Sequence, residues 1–119
     1  MNNNVLWIFE LTLTRGTPDD LKKLMPELID STEKNEPGTL AYEWTLNEDH
    51  TICHIYERYL DSDSALTHLK TFNEKFAARL MALGNATAFV VYGNPSSDLK
   101  EALKGFGGIY MAPIGGFAR

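Results

Sequence analysis

From Val5 to Leu13 the chain alternates as an extended strand does. Val5, Trp7, Phe9, Leu11 and Leu13 fall on one side. Leu6 and Ile8 make the other side apolar as well, before it turns polar at Glu10, Thr12 and Thr14. This pattern predicts a central strand partly covered on both faces. The period then changes. Leu21, Leu24, Met25, Leu28 and Ile29 recur at the spacing of one helical stripe. Thr17 can cap that helix, Pro18 fits its first position, and Asp19 and Asp20 suit its positive end. Pro26 removes one backbone donor and crowds the carbonyl of Lys22, so a kink is expected there. Pro37 and Gly38 close the segment.

Two more extended runs, "TLAYEWTL" and "TICHIYERYL", flank "NEDH" and predict a hairpin with a four-residue loop. If Leu46 pairs with Thr51, Trp44 opposes Cys53, Tyr42 opposes Ile55 and Leu40 opposes Glu57. That face is apolar with one charge, Glu57. The other face then sets Glu43 against His54 and Thr39 against Arg58, and a slip of one residue would exchange the two faces. Asp61 or Ser62 caps a second helix, with Ala65, Leu69, Phe72 and Phe76 on its stripe and His68 on its flank. This helix is expected to break near Phe72 to Glu74, run to about Leu83, and stop at Gly84. "ATAFVVYG" is a fourth strand.

The order is β-α-β-β-α-β, an α+β ferredoxin-like arrangement in one domain over residues 1–119, with a core at 5–93 and a C-terminal extension at 94–119. In the extension, Ser96 or Ser97 caps a short helix reaching about Lys104, and "GGIYMAP" predicts a further strand. Helices cover one face of such a sheet. The face carrying Leu6, Ile8, Ile52 and Tyr56 needs another cover, and a homodimer is expected.

Charge and composition narrow the function. The formal net charge is −5 without a block of Lys or Arg, which argues against a nucleic-acid groove and against docking on an anionic membrane. No segment approaches the ~20 apolar residues of a membrane span. "MNNNVLWIFELTLTRGT" has neither the basic start nor the long apolar run of a signal peptide. The single cysteine, Cys53, rules out an internal disulfide, and a reducing cytoplasm is the expected location.

"EPGTLAYEW" (residues 36–44) and "YERYLDSDSALTHL" (residues 56–69) carry a resemblance to the antibiotic biosynthesis monooxygenase family. They resemble its Pro-Gly strand start and its strand-to-helix segment, in which a Glu, an Asp, an Ala and a His recur at set spacing. The resemblance covers roughly Val5 to Gly93. It implies a dimeric α+β barrel and an oxygenase that needs neither metal nor flavin, acting on an electron-rich phenol or hydroquinone. The same fold hosts isomerases, haem-degrading enzymes and proteins without known activity. The haem-degrading branch places an Asn, a Trp and a His where this chain has Phe9, His68 and roughly Arg79, so the resemblance does not extend to haem degradation.

Oxygen chemistry of this kind needs an aromatic-lined pocket, a base, and donors for a developing oxyanion. His68 is the candidate base, since imidazole titrates near neutrality; its structural alternative is a histidine anchoring helix to sheet. Glu57 is the candidate that orients His68 or accepts a substrate hydroxyl, unless it serves only as a structural partner to an amide or an Arg. Phe9, Tyr42, Trp44, Phe72 and Phe76 are candidates for lining the pocket, or plain core. Tyr59 and Arg79 could donate, although surface positions are expected for both. Cys53 and His54 in "HTICH" point to opposite faces of a strand and make a poor metal pair. The leading expectation is therefore a cofactor-independent monooxygenase of a small aromatic molecule. Two alternatives remain open: a ligand-binding or dimerisation module without activity, and a non-oxidative isomerase or cyclase.

Overall fold

The computed structural model describes residues 2–119. Its sheet contains β1 (Val5–Leu13), β2 (Thr39–Leu46), β3 (Ile52–Tyr59), β4 (Gly84–Tyr92) and β5 (Ile109–Met111), in the order β2-β3-β1-β4-β5. β1 runs antiparallel to both β3 and β4, and the short β5 lies parallel to β4 at the edge. Helices α1 (Pro18–Asn35), α2 (Ser62–Lys75), α3 (Ala77–Met81) and α4 (Ser97–Ala102) complete the ferredoxin-like α+β fold.

Alternation on β1 decides where the core sits. Val5, Trp7, Phe9 and Leu11 are buried, together with Cys53, Ile55 and Tyr59 of β3 and Phe89 and Val91 of β4. Leu21, Leu24 and Leu28 of α1, and Ala65 and Leu69 of α2, close over this face. The helix starts follow their sequence signals. Thr17 and Asp20 form a reciprocal capping box on α1, and Asp61 Oδ1 accepts from Ser64 N at 2.8 Å on α2. Pro26 lies on the exposed side of α1, within one helix that runs from Pro18 to Asn35.

Three local expectations are corrected. The hairpin pairs Leu46 with Cys53, Trp44 with Ile55 and Tyr42 with Glu57, two residues away from the expected register. The cause is Asn47, whose Oδ1 accepts from both Thr51 N and Ile52 N and draws Thr51 into the loop. A shift of two preserves the faces. The same shift sets Glu57 opposite Tyr42 rather than Leu40, and a bulge near Thr39 leaves Leu40 unpaired and exposed. The second helix breaks at Phe76, where φ is −126°, rather than at Phe72 to Glu74. It ends at Met81, and Gly84 begins β4 instead of merely stopping the helix. A side chain at position 84 would set its Cβ 2.0 Å from the carbonyl oxygen of Thr12, so the strand can start there only as glycine.

In the extension Ser96 caps α4 through its Oγ, and a 3-10 turn at Lys104–Phe106 leads into β5. On the opposite sheet face Leu6, Ile8, Ile52 and Tyr56 remain half-buried.

Candidate functional site

The strand register places Glu57 between two aromatics, Trp7 on β1 and Tyr42 on β2. His68, from the second turn of α2, descends onto this point and is almost fully buried. Its Nε2 lies 3.1 Å from Glu57 Oε1, and its Nδ1 lies 2.8 Å from Oε1 of a second buried carboxylate, Glu36. Tyr59 donates its hydroxyl to Glu57 Oε1 at 2.5 Å, and Thr39 donates to Glu36 Oε1 at 3.2 Å. The imidazole is thus held between two carboxylates, each with a hydroxyl behind it.

Two acids reach one histidine because of how α1 ends. Glu36 is the C-cap residue, its N–H bonded to Thr32 O at 3.0 Å. Pro37 and Gly38 then turn the chain against the first turn of α2, close enough that a Cβ on residue 38 would fall 2.1 Å from Ser64 Oγ. That contact brings Glu36 to His68. A carboxylate at the negative end of a helix is unfavourable, and an imidazolium opposite it removes the conflict. Glu36 Oε2 is buried without a hydrogen-bond partner among the described residues.

The charge state follows from competing effects. Burial by itself pushes the His68 pKa down. The hydrogen bond to Glu36 and then the contact with Glu57 outweigh burial and raise it from 6.5 to about 9. His68 is therefore an imidazolium at neutral pH. Burial, followed by the charges of Glu57 and Glu36, pushes the Tyr42 phenol far up. Burial and then Glu57 do the same to Tyr59, so both phenols keep their protons.

Glu57 and His68 border a cavity whose other walls are mostly apolar and aromatic, among them Trp7, Phe9, Tyr42, Phe72, Phe89 and Phe106. The His68 ring stacks over Phe72 at 6.4 Å between centroids and meets Tyr42 edge-on at 5.1 Å. The free space is small, about 20 Å³. This is close to the ~10–15 Å³ that one water requires.

Of the sequence candidates, His68, Glu57, Phe9, Tyr42 and Phe72 meet at this cavity. Trp44 and Phe76 do not line it. Trp44 borders a separate crevice with Leu21, Met25 and Cys53, because β2 carries it one pair further along the strand than Tyr42. Phe76 is buried at the α2 break beneath the Arg79 guanidinium. Tyr59 is fully buried rather than on the surface, because its inward place on β3 puts its hydroxyl on Glu57. Arg79 is at the surface, 3.1 Å from Glu27. His54 pairs with Glu10 at 2.9 Å on the opposite sheet face from Cys53.

Sequence reasoning missed Glu36, Trp7 and Phe106. For Glu36 there was a signal, an acid at a helix C-terminus where charge favours a base. Trp7 lay on the predicted apolar face of β1, but its nearness to Glu57 depends on register. Phe106 offered no signal, since it lies in the extension.

No family model and no curated protein sequence matches the chain. Solved structures do. MupZ from Pseudomonas fluorescens superposes with a TM-score of 0.87 at 22% identity, covering 100% of this chain and 91% of that one. SnoaB, a cofactor-independent oxygenase from Streptomyces nogalater, gives 0.67 at 14% identity over 80% of this chain and 96% of its own. A candidate antibiotic biosynthesis monooxygenase from Caulobacter crescentus CB15 gives 0.60 at 23% identity, over 76% and 86%. The fold is that of the antibiotic biosynthesis monooxygenases. The likeness to MupZ includes the C-terminal extension, while the other two superpositions cover only part of this chain.

Proposed function

We propose that the protein is a cofactor-independent monooxygenase acting on a small aromatic quinol or polyphenol, with Glu57 as the proton acceptor. The observation that carries this reading is a carboxylate, backed by an imidazolium, on the wall of an otherwise largely aromatic cavity. The roles expected from sequence are exchanged. His68 has both ring nitrogens engaged and its proton retained, so it is a poor base. It serves instead to hold Glu57 in place across the 3.1 Å contact, and Glu36 holds His68 from behind. Both Tyr59 and His68 approach Oε1 of Glu57, which leaves Oε2 to meet a substrate hydroxyl.

Proton transfer from a phenol to Glu57 makes the ring reducing enough to pass an electron to O2. Recombination forms a C–O bond at a ring carbon. Loss of water then leaves a quinone carbonyl, so one oxygen atom is incorporated, the other departs as water, and no external reductant is required. His68 is positioned to stabilise negative charge developing near Glu57. A second copy of the chain, packed on the Leu6–Ile8 face, would complete a dimeric barrel.

The paired donor and acceptor also favour a second reading, a proton-shuttling isomerase or cyclase. The test is oxygen uptake with a panel of hydroquinones and naphthols. The monooxygenase reading expects one O2 consumed per quinone formed, and a loss of about 10²-fold or more in Glu57→Gln. Equal product formation under nitrogen would favour the isomerase. Unchanged turnover in a folded Glu57→Gln variant would remove the assigned base.

A further inference from the structure

The extension supplies the last wall of the aromatic pocket. α4 is anchored by Leu99 and Leu103, both buried, and β5 is anchored by pairing with β4. Between these anchors the turn at Lys104–Phe106 sets the Phe106 ring 5.3 Å from Phe89, on the same cavity as Glu57 and His68. One backbone hydrogen bond, Phe106 N to Leu103 O at 2.9 Å, closes the turn. Gly107 follows at φ +65°, in the left-handed region, and at both Gly105 and Gly107 nothing lies within 4 Å of where a Cβ would stand. An aromatic side chain is thus pressed into an aromatic slot by a segment with open space on both sides. With Phe106 in place the pocket has about 20 Å³ free, whereas a cavity on the order of 150 Å³ holds benzene.

We propose that Phe106 determines which rings this pocket accepts: an incoming flat aromatic displaces the Phe106 side chain from Phe89 and takes its place. The inference rests on reading the cavity as an aromatic-binding site. Exchange of one ring for another conserves apolar contact against Phe89. The turn gives up one hydrogen bond, and the flanking glycines accommodate the new backbone angles. The substrate class is correspondingly narrow: uncharged one- and two-ring aromatics whose hydroxyl reaches Glu57 when the ring lies on Phe89.

Binding of benzene tests this apart from catalysis, because benzene has no acidic proton and is not oxidised here. Phe106→Ala is expected to bind benzene at least tenfold more tightly than wild type by titration calorimetry, with Phe106→Leu intermediate. In wild type, saturating naphthalene is expected to accelerate trypsin cleavage after Lys104, as the turn swings out. Equal benzene affinity in wild type and Phe106→Ala, with matching circular dichroism, overturns the proposal. Should Phe106→Ala fail to fold, the comparison rests on Phe106→Leu in the same way. Failure of naphthalene to bind wild type, or binding without faster cleavage, also overturns it. Ring binding as predicted, without oxygen uptake from any quinol, would sink the oxygenase reading and leave this one standing.

Discussion

His68 shows how a residue's role depends on what lies behind it. Viewed with Glu57 alone, it resembles a base with an orienting acid. Glu36 changes this by occupying Nδ1 and keeping the ring charged. The folded protein holds this proton more tightly than the unfolded chain does. The resulting stability is complete below pH 6.5 and is lost as pH rises through about 9. Wild type should therefore lose thermal stability across that window. Glu36→Gln removes the strongest contact that raises the His68 pKa, so it should flatten the slope and cost about 1–3 kcal/mol near pH 6. Thermal melts from pH 6 to pH 10 check both points. An identical slope in the two proteins would mean that Glu36 does not hold the proton.

At the scale of elements, the legible features were those fixed by period and cap chemistry. The apolar face of β1, the stripe on α1 and the Asp61 cap on α2 follow from spacing and short-range hydrogen bonding. The displaced features depend on single side chains acting over longer range. Asn47 lengthens the hairpin loop with its amide oxygen and moves the register by two, which brings Glu57 opposite Tyr42 rather than Leu40. Phe76 leaves helical geometry while its ring is buried, a choice set by the core rather than by propensity. Glu57 and His68 were visible as the pair that meets where strand and helix join, since faces survive a shift of two. Trp44 was misplaced because alternation tells which face a residue takes, not how far along the strand the pocket extends. Glu36 was the harder case, because its partner lies 32 residues away, across a Pro-Gly corner whose fit depends on Ser64.

The molecule as a whole has two contrasting sheet faces. One is sealed by helices over the Glu36–His68–Glu57 unit. The other mixes Leu6, Ile8 and Tyr56 with a polar cluster in which Glu10 accepts from Thr87 at 2.6 Å and pairs with His54. A second copy covering this face should make the protein sediment as a dimer at micromolar concentration. A strictly monomeric species would contradict the dimeric arrangement while leaving the pocket within each chain intact. The pocket's chemistry depends above all on where one proton resides. That location is measured directly by nitrogen-15 NMR of the His68 imidazole in the intact protein. Both ring nitrogens are expected to be protonated at pH 7, with a titration near pH 9. A neutral tautomer at pH 7, titrating at or below pH 6.5, would contradict this and return the role of base to His68.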